Sequence, residues 1–133
     1  RTDTYPKRRS LTRVKELTAE GINVSFGYDD IFDPWNPLGN ANMRDPVFMG
    51  LYAGHMLGYD EIMGSYKFVT TNAARTLHLG DAYGIKEGNN ANFVIYDAKN
   101  WYDALNYDVS VLYSYKNGKL VADTKPKETK VHY

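Results

Sequence analysis

Gly21-Ile-Asn-Val-Ser-Phe-Gly-Tyr-Asp-Asp30 is a short apolar run that ends in two adjacent carboxylates, and Ile31-Phe-Asp-Pro-Trp35 follows it. The apolar residues predict a β-strand over 22–26, and the proline predicts a loop after it. Barrel folds built from alternating strands and helices place their catalytic groups just beyond the C-terminal ends of the strands. We therefore predict that this segment is a barrel strand that supplies one wall of an active site.

The composition indicates a globular domain and excludes several classes of partner. Of the 133 residues, 43% are hydrophobic and 24% are charged, which is a globular rather than a disordered balance. Sixteen basic and sixteen acidic residues cancel, so we expect neither nucleic acid nor a membrane surface as a partner. The absence of cysteine excludes disulfides and fits a reducing compartment. No apolar run reaches the ~18 residues that a membrane span requires.

Helical patterns dominate the first eighty residues. We predict helices over 11–20, capped by Ser10, over 43–57, and over 71–79. A loop over 27–42 separates the first two, and loops of that length usually serve a function. In the second helix Gly50, Gly54 and Gly58 allow a neighbouring element to approach closely.

The pattern changes to β-structure after Gly84. Phe93–Tyr96 reads as a buried strand, and two further strands are predicted over 111–115 and 120–122. The Asn-Gly pair within Lys116-Asn-Gly-Lys119 predicts a tight hairpin between them. We attribute the many tyrosines between residues 96 and 115 to packing across strands.

This order of elements predicts the α/β class. Residues 1–82 read as the C-terminal portion of a (β/α)₈ barrel, with its last strand and the helices that follow, and residues 83–133 as strands of a small β domain. A complete barrel takes about 250 residues, and this chain begins with Arg rather than Met. We therefore expect an N-terminal part of the same protein to complete the fold.

The candidate functional residues lie around the end of the predicted barrel strand. Asp29 and Asp30 are adjacent and should diverge, so that one reaches a metal ion and the other a ligand. A solvated loop start or a helix cap explains the same pair. Trp35 either stacks on a flat heterocycle or packs on the barrel rim. We interpret Asp33 as a turn former.

The histidines give no metal site by spacing. His55, His78 and His132 are scattered and form neither His-x-His nor His-Glu-x-x-His. We read His55 and His78 as packing or capping residues, and His132 as part of the C-terminal tail.

Several motifs resemble the C-terminal third of bacterial cytosine deaminases, which are members of the amidohydrolase superfamily. The resemblance covers nearly the whole chain. Its branch-specific part is Phe26-Gly-Tyr-Asp-Asp30 with Phe32-Asp-Pro-Trp35, whereas Ala74-Arg-Thr-Leu77 and Gly88-Asn-Asn-Ala-Asn92 mark only the superfamily. The resemblance implies a metal-dependent-hydrolase barrel and, for the last fifty residues, a β-sandwich shared with the N-terminus.

The resemblance also implies roles for the candidate residues. Asp29 would be the last ligand of a divalent metal, Fe²⁺ or Zn²⁺, and the base that takes a proton from the attacking water. Asp30 and Trp35 would bind the substrate, a free pyrimidine base, and the reaction would convert cytosine to uracil and ammonia. The other metal ligands would lie outside this chain, and a cytoplasmic homo-oligomer serving pyrimidine salvage is expected.

One departure and two alternatives stay open. Tyr28 stands where the family commonly has His, directly before Asp29. The substrate is therefore cytosine or another amino-heterocycle, such as isocytosine, creatinine or a triazine. The alternative from a different class is a non-catalytic module that self-associates through open barrel faces. In either case we expect the isolated 133-residue chain to be inactive.

Overall fold

The computed structural model describes residues 11–132 and contains both α and β elements. The helices are α1 (Val14–Ala19), α2 (Arg44–Ala53), α3 (Tyr59–Gly64), α4 (Thr71–Thr76) and α5 (Trp101–Asn106), and the strands are β1 (Phe93–Tyr96), β2 (Val111–Lys116) and β3 (Lys119–Asp123). Short 3₁₀ turns cover Ser65–Val69 and Gly80–Ala82. Every predicted helix is present but shorter, and the predicted cap Ser10 lies outside the described residues.

The two histidines predicted to pack or cap follow helix ends. His55 comes directly after Gly54, the C-cap residue of α2, and His78 comes directly after Leu77, the C-cap residue of α4. Both have a positive φ, 52° for His55 and 54° for His78, and both are exposed. A left-handed residue ends a helix, so the capping interpretation is right.

The strand predicted over 22–26 is not formed among residues 11–132. Its backbone groups bond to helical segments instead: the Phe26 amide donates to the Phe68 carbonyl at 2.9 Å, and the Val24 carbonyl accepts from the Asn72 side chain at 2.8 Å. A strand needs a neighbouring strand to form its ladder, and residues 11–132 place none beside this segment. The barrel assignment therefore stays a prediction.

The C-terminal sheet contains three antiparallel strands in the order β1-β2-β3. Asn117 and Gly118 join β2 to β3 with φ values of 51° and 75°, which confirms the predicted hairpin. The expectation that β1 is buried is wrong, since Val94 and Ile95 are 49% and 42% exposed. Adjacent strand residues point to opposite faces, so neither face of this edge strand is fully covered by the described residues. The β-sandwich also stays a prediction.

Helix α5 is not predicted from the sequence, because the tyrosines of this region are attributed to packing across strands. Phe93 and Tyr115 do stack across β1 and β2, with ring centroids 4.9 Å apart. Tyr102, by contrast, lies within α5. The signal for this helix was Asn100, whose side chain accepts a hydrogen bond from the Asp103 amide at 2.9 Å and caps the first turn.

The main core lies between the helices and the 22–26 segment. It is a cluster of buried aliphatic side chains, Val14, Val24, Val47, Leu51, Met56 and Leu105. Phe26 packs against this cluster and stacks on Phe68 with ring centroids 4.5 Å apart. Because Val24 belongs to the cluster, the core holds in place the segment that leads to the candidate carboxylates.

Gly50 provides the close approach that the sequence predicts. A Cβ atom at Gly50 would lie 2.6 Å from the Phe26 ring, whereas one at Gly64 meets nothing within 4 Å. The Phe26 ring is held by its stack on Phe68, so it has little freedom to move away.

We expect Gly50→Ala to lower the free energy of unfolding by about 1–3 kcal/mol, because overpacking outweighs the gain in helix propensity. Gly64→Ala is the matched control, also at a helical glycine, and should be neutral or slightly stabilising. Urea unfolding measures both. Equal effects of the two substitutions would contradict close packing at Gly50.

Arg44 joins the helical part of the chain to the segment around α5. Its side chain is only 7% exposed and donates to the Ala104 carbonyl at 3.0 Å, to the Val109 carbonyl, and to the Asp108 carboxylate. Arg44 begins α2, and all three acceptors lie at or just after the end of α5. One buried guanidinium therefore fixes the distance between α2 and the approach to β2.

We expect Arg44→Met to lower the free energy of unfolding by about 2–3 kcal/mol, because buried carbonyl groups lose their donors. Arg13→Met is the control: Arg13 pairs with Glu16 on an exposed surface, and such pairs contribute about 0–1 kcal/mol. Denaturant titration of both variants tests this. A cost for Arg44→Met no larger than that for Arg13→Met would contradict the linking role.

Candidate active site

The two candidate carboxylates lie at the start of the 27–42 loop. Asp29 is exposed and has a φ of 62°, in the left-handed region. Asp and Asn tolerate that region better than larger residues because their short side chains bond locally. Asp30 is half-buried. The structure thus brings both residues to one turn directly after the core segment.

Two sets of hydrogen bonds, an outer tie and an inner tie, join residues across this loop. The outer tie joins Tyr28 to Asn40: the Asn40 amide donates to the Tyr28 hydroxyl at 2.9 Å, and that hydroxyl donates to Asn40 Oδ1 at 3.2 Å. The inner tie joins Asn36 to the turn, since Asn36 Nδ2 donates to the Asp30 carbonyl at 2.8 Å. The backbone around the carboxylates is therefore anchored at two levels.

Asp33 organises the tip of the loop. Its carboxylate accepts hydrogen bonds from the amides of Trp35 at 2.8 Å and Asn36 at 2.9 Å. This is the local turn that an aspartate side chain stabilises, and it confirms the interpretation of Asp33. A Cβ atom at Gly39 would lie 2.7 Å from the Asn36 side chain, so the loop closes tightly there.

The sequence prediction missed the asparagines of this loop. Asn36 and Asn40 form the two ties, and Asn42 accepts from the Arg44 amide at 3.2 Å at the entry to α2. The available signal was three amide side chains among prolines, because asparagine bonds to nearby backbone groups in turns.

The carboxylates of Asp29, Asp30 and Asp33 lie in this small region, and the charges of Asp29 and Asp33 affect the pKa of Asp30. Partial burial, and then the charges of Asp29 and Asp33, raise the pKa of Asp30 above the ordinary range of an aspartate. Asp33 raises it further by hydrogen bonding. The ionised form of Asp30 is therefore less favoured than that of an ordinary aspartate, and a cation or a hydrogen-bond donor brought into the region would stabilise it.

Trp35 belongs to an exposed apolar surface on the same loop. Its exposed fraction is 66%, and Phe32 and Leu38 are 75% and 90% exposed. Large exposed apolar groups clustered on one loop mark a binding or contact surface. Both interpretations of Trp35, a stacking wall and rim packing, are compatible with this position.

The described residues do not complete a metal site. Within residues 11–132, no three His, Cys, Asp or Glu side chains lie close enough together to hold a metal ion. Asp29 offers an exposed carboxylate that fits one ligand position of a divalent cation. Further ligands would have to come from outside these residues.

No helix among residues 11–132 is long and apolar enough to cross a membrane.

Comparison with known proteins identifies the family. The model of the amidohydrolase family matches residues 1–122. The chain belongs to this family. A crystal structure of 5-methylcytosine deaminase from Klebsiella pneumoniae, liganded with 5-fluorocytosine, is 46% identical and superposes with a TM-score of 0.88 over 98% of this chain.

More distant relatives of this amidohydrolase act on other compounds. N-isopropylammelide isopropyl amidohydrolase of Pseudomonas sp. is 27% identical over 81% of this chain. Pterin deaminase of Rhizobium rhizogenes is 28% identical over 91%. The chain spans 27% of the length of each of these relatives and 32% of the Klebsiella chain.

We expect Asp30→Asn to raise the free energy of unfolding near neutral pH, because it removes a charge that Asp29 and Asp33 disfavour. The gain should shrink as the pH falls toward the ordinary aspartate pKa of about 4. The direction of this pH dependence follows from the raised pKa of Asp30 in the folded protein. The folded wild type takes up the proton at a higher pH than the unfolded chain does, so acid relieves the repulsion in the folded state.

Urea unfolding of wild type and variant over this pH range measures the effect. Asp123→Asn, on exposed β3 far along the chain from the loop, is the control for charge removal in general. A stability difference for Asp30→Asn that does not change with pH would contradict the repulsion.

Proposed function

We propose that this chain is part of a metal-dependent hydrolase that deaminates cytosine, or its 5-methyl derivative, to the corresponding uracil and ammonia. The observation that carries the proposal is the likeness to Klebsiella 5-methylcytosine deaminase, at 46% identity over 98% of the chain. The likeness in fold supports the proposal that the segment Asp29–Trp35 has the same function in both proteins.

Asp29 is proposed as the base. Its exposed carboxylate accepts a proton from the attacking water, whose oxygen forms a bond to C4 of the ring. Asp29 passes this proton to the exocyclic nitrogen, and ring N3 takes up the second proton of the water as the hydroxyl on C4 becomes a carbonyl. The C4–N bond to the exocyclic nitrogen then breaks, and ammonia leaves. Hydrolysis of this kind balances with water alone and needs no oxidant or reductant.

Asp30 and Trp35 are proposed to bind the ring. Asp30 lies beside Asp29 in the tied turn, where its carboxylate can accept a hydrogen bond from a ring N–H or donate one when protonated. The raised pKa of Asp30 makes the protonated form more accessible than in an ordinary aspartate. Trp35 presents an aromatic face on the same loop for stacking.

A divalent metal, Fe²⁺ or Zn²⁺, would be held by Asp29 together with ligands outside the described residues, and it would supply the activation of water. We propose that an N-terminal part of the same protein provides those ligands and completes the barrel. The 32% coverage of the Klebsiella chain supports this. Under this proposal residues 11–132 alone are inactive.

An amidohydrolase of another amino-heterocycle is the second candidate. The N-isopropylammelide and pterin relatives, at 27% and 28% identity, favour it. Tyr28, beside the proposed base, is the residue of this segment that departs from the family pattern. Substrate preference within the cytosine class therefore needs measurement on the complete protein.

We expect the complete protein, supplied with Zn²⁺ or Fe²⁺, to release ammonia from cytosine or 5-methylcytosine. Asp29→Asn should reduce kcat by about 10²- to 10⁴-fold, because a positioned base contributes that much. Asp123→Asn on β3 is the control and should leave the rate unchanged. A coupled assay for ammonia measures all three proteins.

A panel with isocytosine, creatinine, N-isopropylammelide and pterin distinguishes the two candidates. Turnover of one of these compounds, and none of either cytosine, would overturn the proposed substrate while leaving the reaction class. Ammonia release that Asp29→Asn does not affect would instead overturn the role of the carboxylate.

A further inference from the structure

Tyr28 has no role in the proposed chemistry, yet its hydroxyl makes both hydrogen bonds of the outer loop tie. The half-buried side chain reaches twelve residues along the chain, where its hydroxyl accepts from the Asn40 amide at 2.9 Å and donates to Asn40 Oδ1 at 3.2 Å. A tyrosine hydroxyl can do both at once because it carries a donor and acceptor lone pairs.

The hydrogen bonds continue from Asn40 into the next helix. Asn40 Oδ1 also accepts from the Asn42 amide at 2.8 Å, and Asn42 Oδ1 accepts from the Arg44 amide at 3.2 Å. Arg44 is the buried first residue of α2. Through Asn40, the Tyr28 hydroxyl is thus connected to a fixed element of the core.

The proposed active-site residues lie inside the closed loop. Asp29 and Asp30 follow Tyr28 directly, and Trp35 lies between the inner tie at Asn36 and the turn. Asp29 holds a left-handed backbone, with a φ of 62°, that costs energy unless its surroundings fix it. Without the Tyr28–Asn40 tie, the segment that carries the two carboxylates would be held across the loop only by the inner tie at Asn36.

We propose that Tyr28 is a positioning residue whose hydroxyl, through Asn40, fixes the Asp29–Trp35 segment in the conformation that binds the substrate ring. This inference rests on the proposed function of Asp30 and Trp35. Tyr28 itself touches no reacting atom. It acts by making the loop rigid before the substrate arrives, which lowers the cost of ordering the loop on binding.

The test removes only the hydroxyl, with Tyr28→Phe in the complete protein. We expect the KM for cytosine or 5-methylcytosine to rise about tenfold, the equivalent of one to two neutral hydrogen bonds. We expect kcat to change much less, since a bound substrate restores the loop. Tyr107→Phe, at a 70% exposed tyrosine, is the matched control and should change neither.

A merely structural role would give a different result. It would lower the fraction of folded enzyme and hence the apparent kcat, with KM unchanged. Asn40→Ala removes the acceptor Oδ1, and the double variant with Tyr28→Phe should cost less than the sum of the two single variants, because both act on one tie. An unchanged KM in Tyr28→Phe, or additive effects in the double variant, would overturn the inference.

Hydrogen exchange distinguishes this inference from the proposed function. The amides of residues 29–42 should exchange faster in Tyr28→Phe than in wild type, and those of β2 and β3 should not change. If the wild-type protein deaminates none of the compounds tested, the proposed function fails. The comparison of hydrogen exchange still tests whether the Tyr28–Asn40 hydrogen bonds make the loop rigid. Unchanged exchange over 29–42 would overturn the role of Tyr28 whatever the substrate is.

Discussion

The burial of the Arg44 guanidinium is the interaction on which the arrangement of this chain depends. Arg44 starts α2, and its donors reach carbonyl groups at the end of α5 and the carboxylate of Asp108. A charged group excluded from water must find acceptors, so the guanidinium stays buried in this position only while α2 and the end of α5 are held together. The backbone amide of Arg44 also donates to Asn42 at the end of the 27–42 loop.

Side-chain hydrogen bonds hold the 27–42 loop, which carries the candidate residues, in place of regular secondary structure. Residues 27–42 contain neither helix nor strand, yet Tyr28, Asn36 and Asp33 supply hydrogen bonds that a ladder would otherwise provide. Long loops that are rigid usually carry function, because rigidity there has to be built from side chains. The carboxylates of Asp29 and Asp30 stand where those bonds converge.

Exposed apolar groups lie on the 27–42 loop and on β1, as well as on several other described elements. Phe32, Trp35 and Leu38 are exposed on the loop, and Val94 is exposed on the edge strand β1. The chain spans 32% of the Klebsiella deaminase to which it is similar. Apolar side chains on loops and strand edges are stable in water only in small numbers, which is consistent with a neighbouring segment covering them in the complete protein.

Elements whose signals are local can be predicted from the sequence. The Asn117-Gly118 hairpin follows from the need for positive φ at two residues, the Asp33 turn from a carboxylate near its own amides, and the Asp29-Asp30 pair was visible as adjacent charges. Recognition of the family depended on the same short motifs. These features need no knowledge of distant residues.

Features that join distant residues depend on the three-dimensional fold and could not be predicted. The segment over 22–26 reads as a strand, but a ladder requires a partner, and the described residues give it helical neighbours instead. Nothing local in the sequence pairs Tyr28 with Asn40, or Arg44 with the end of α5. Each pairing depends on where the core places two separate segments. The partial burial that is the main cause of the raised pKa of Asp30 likewise depends on the tertiary structure.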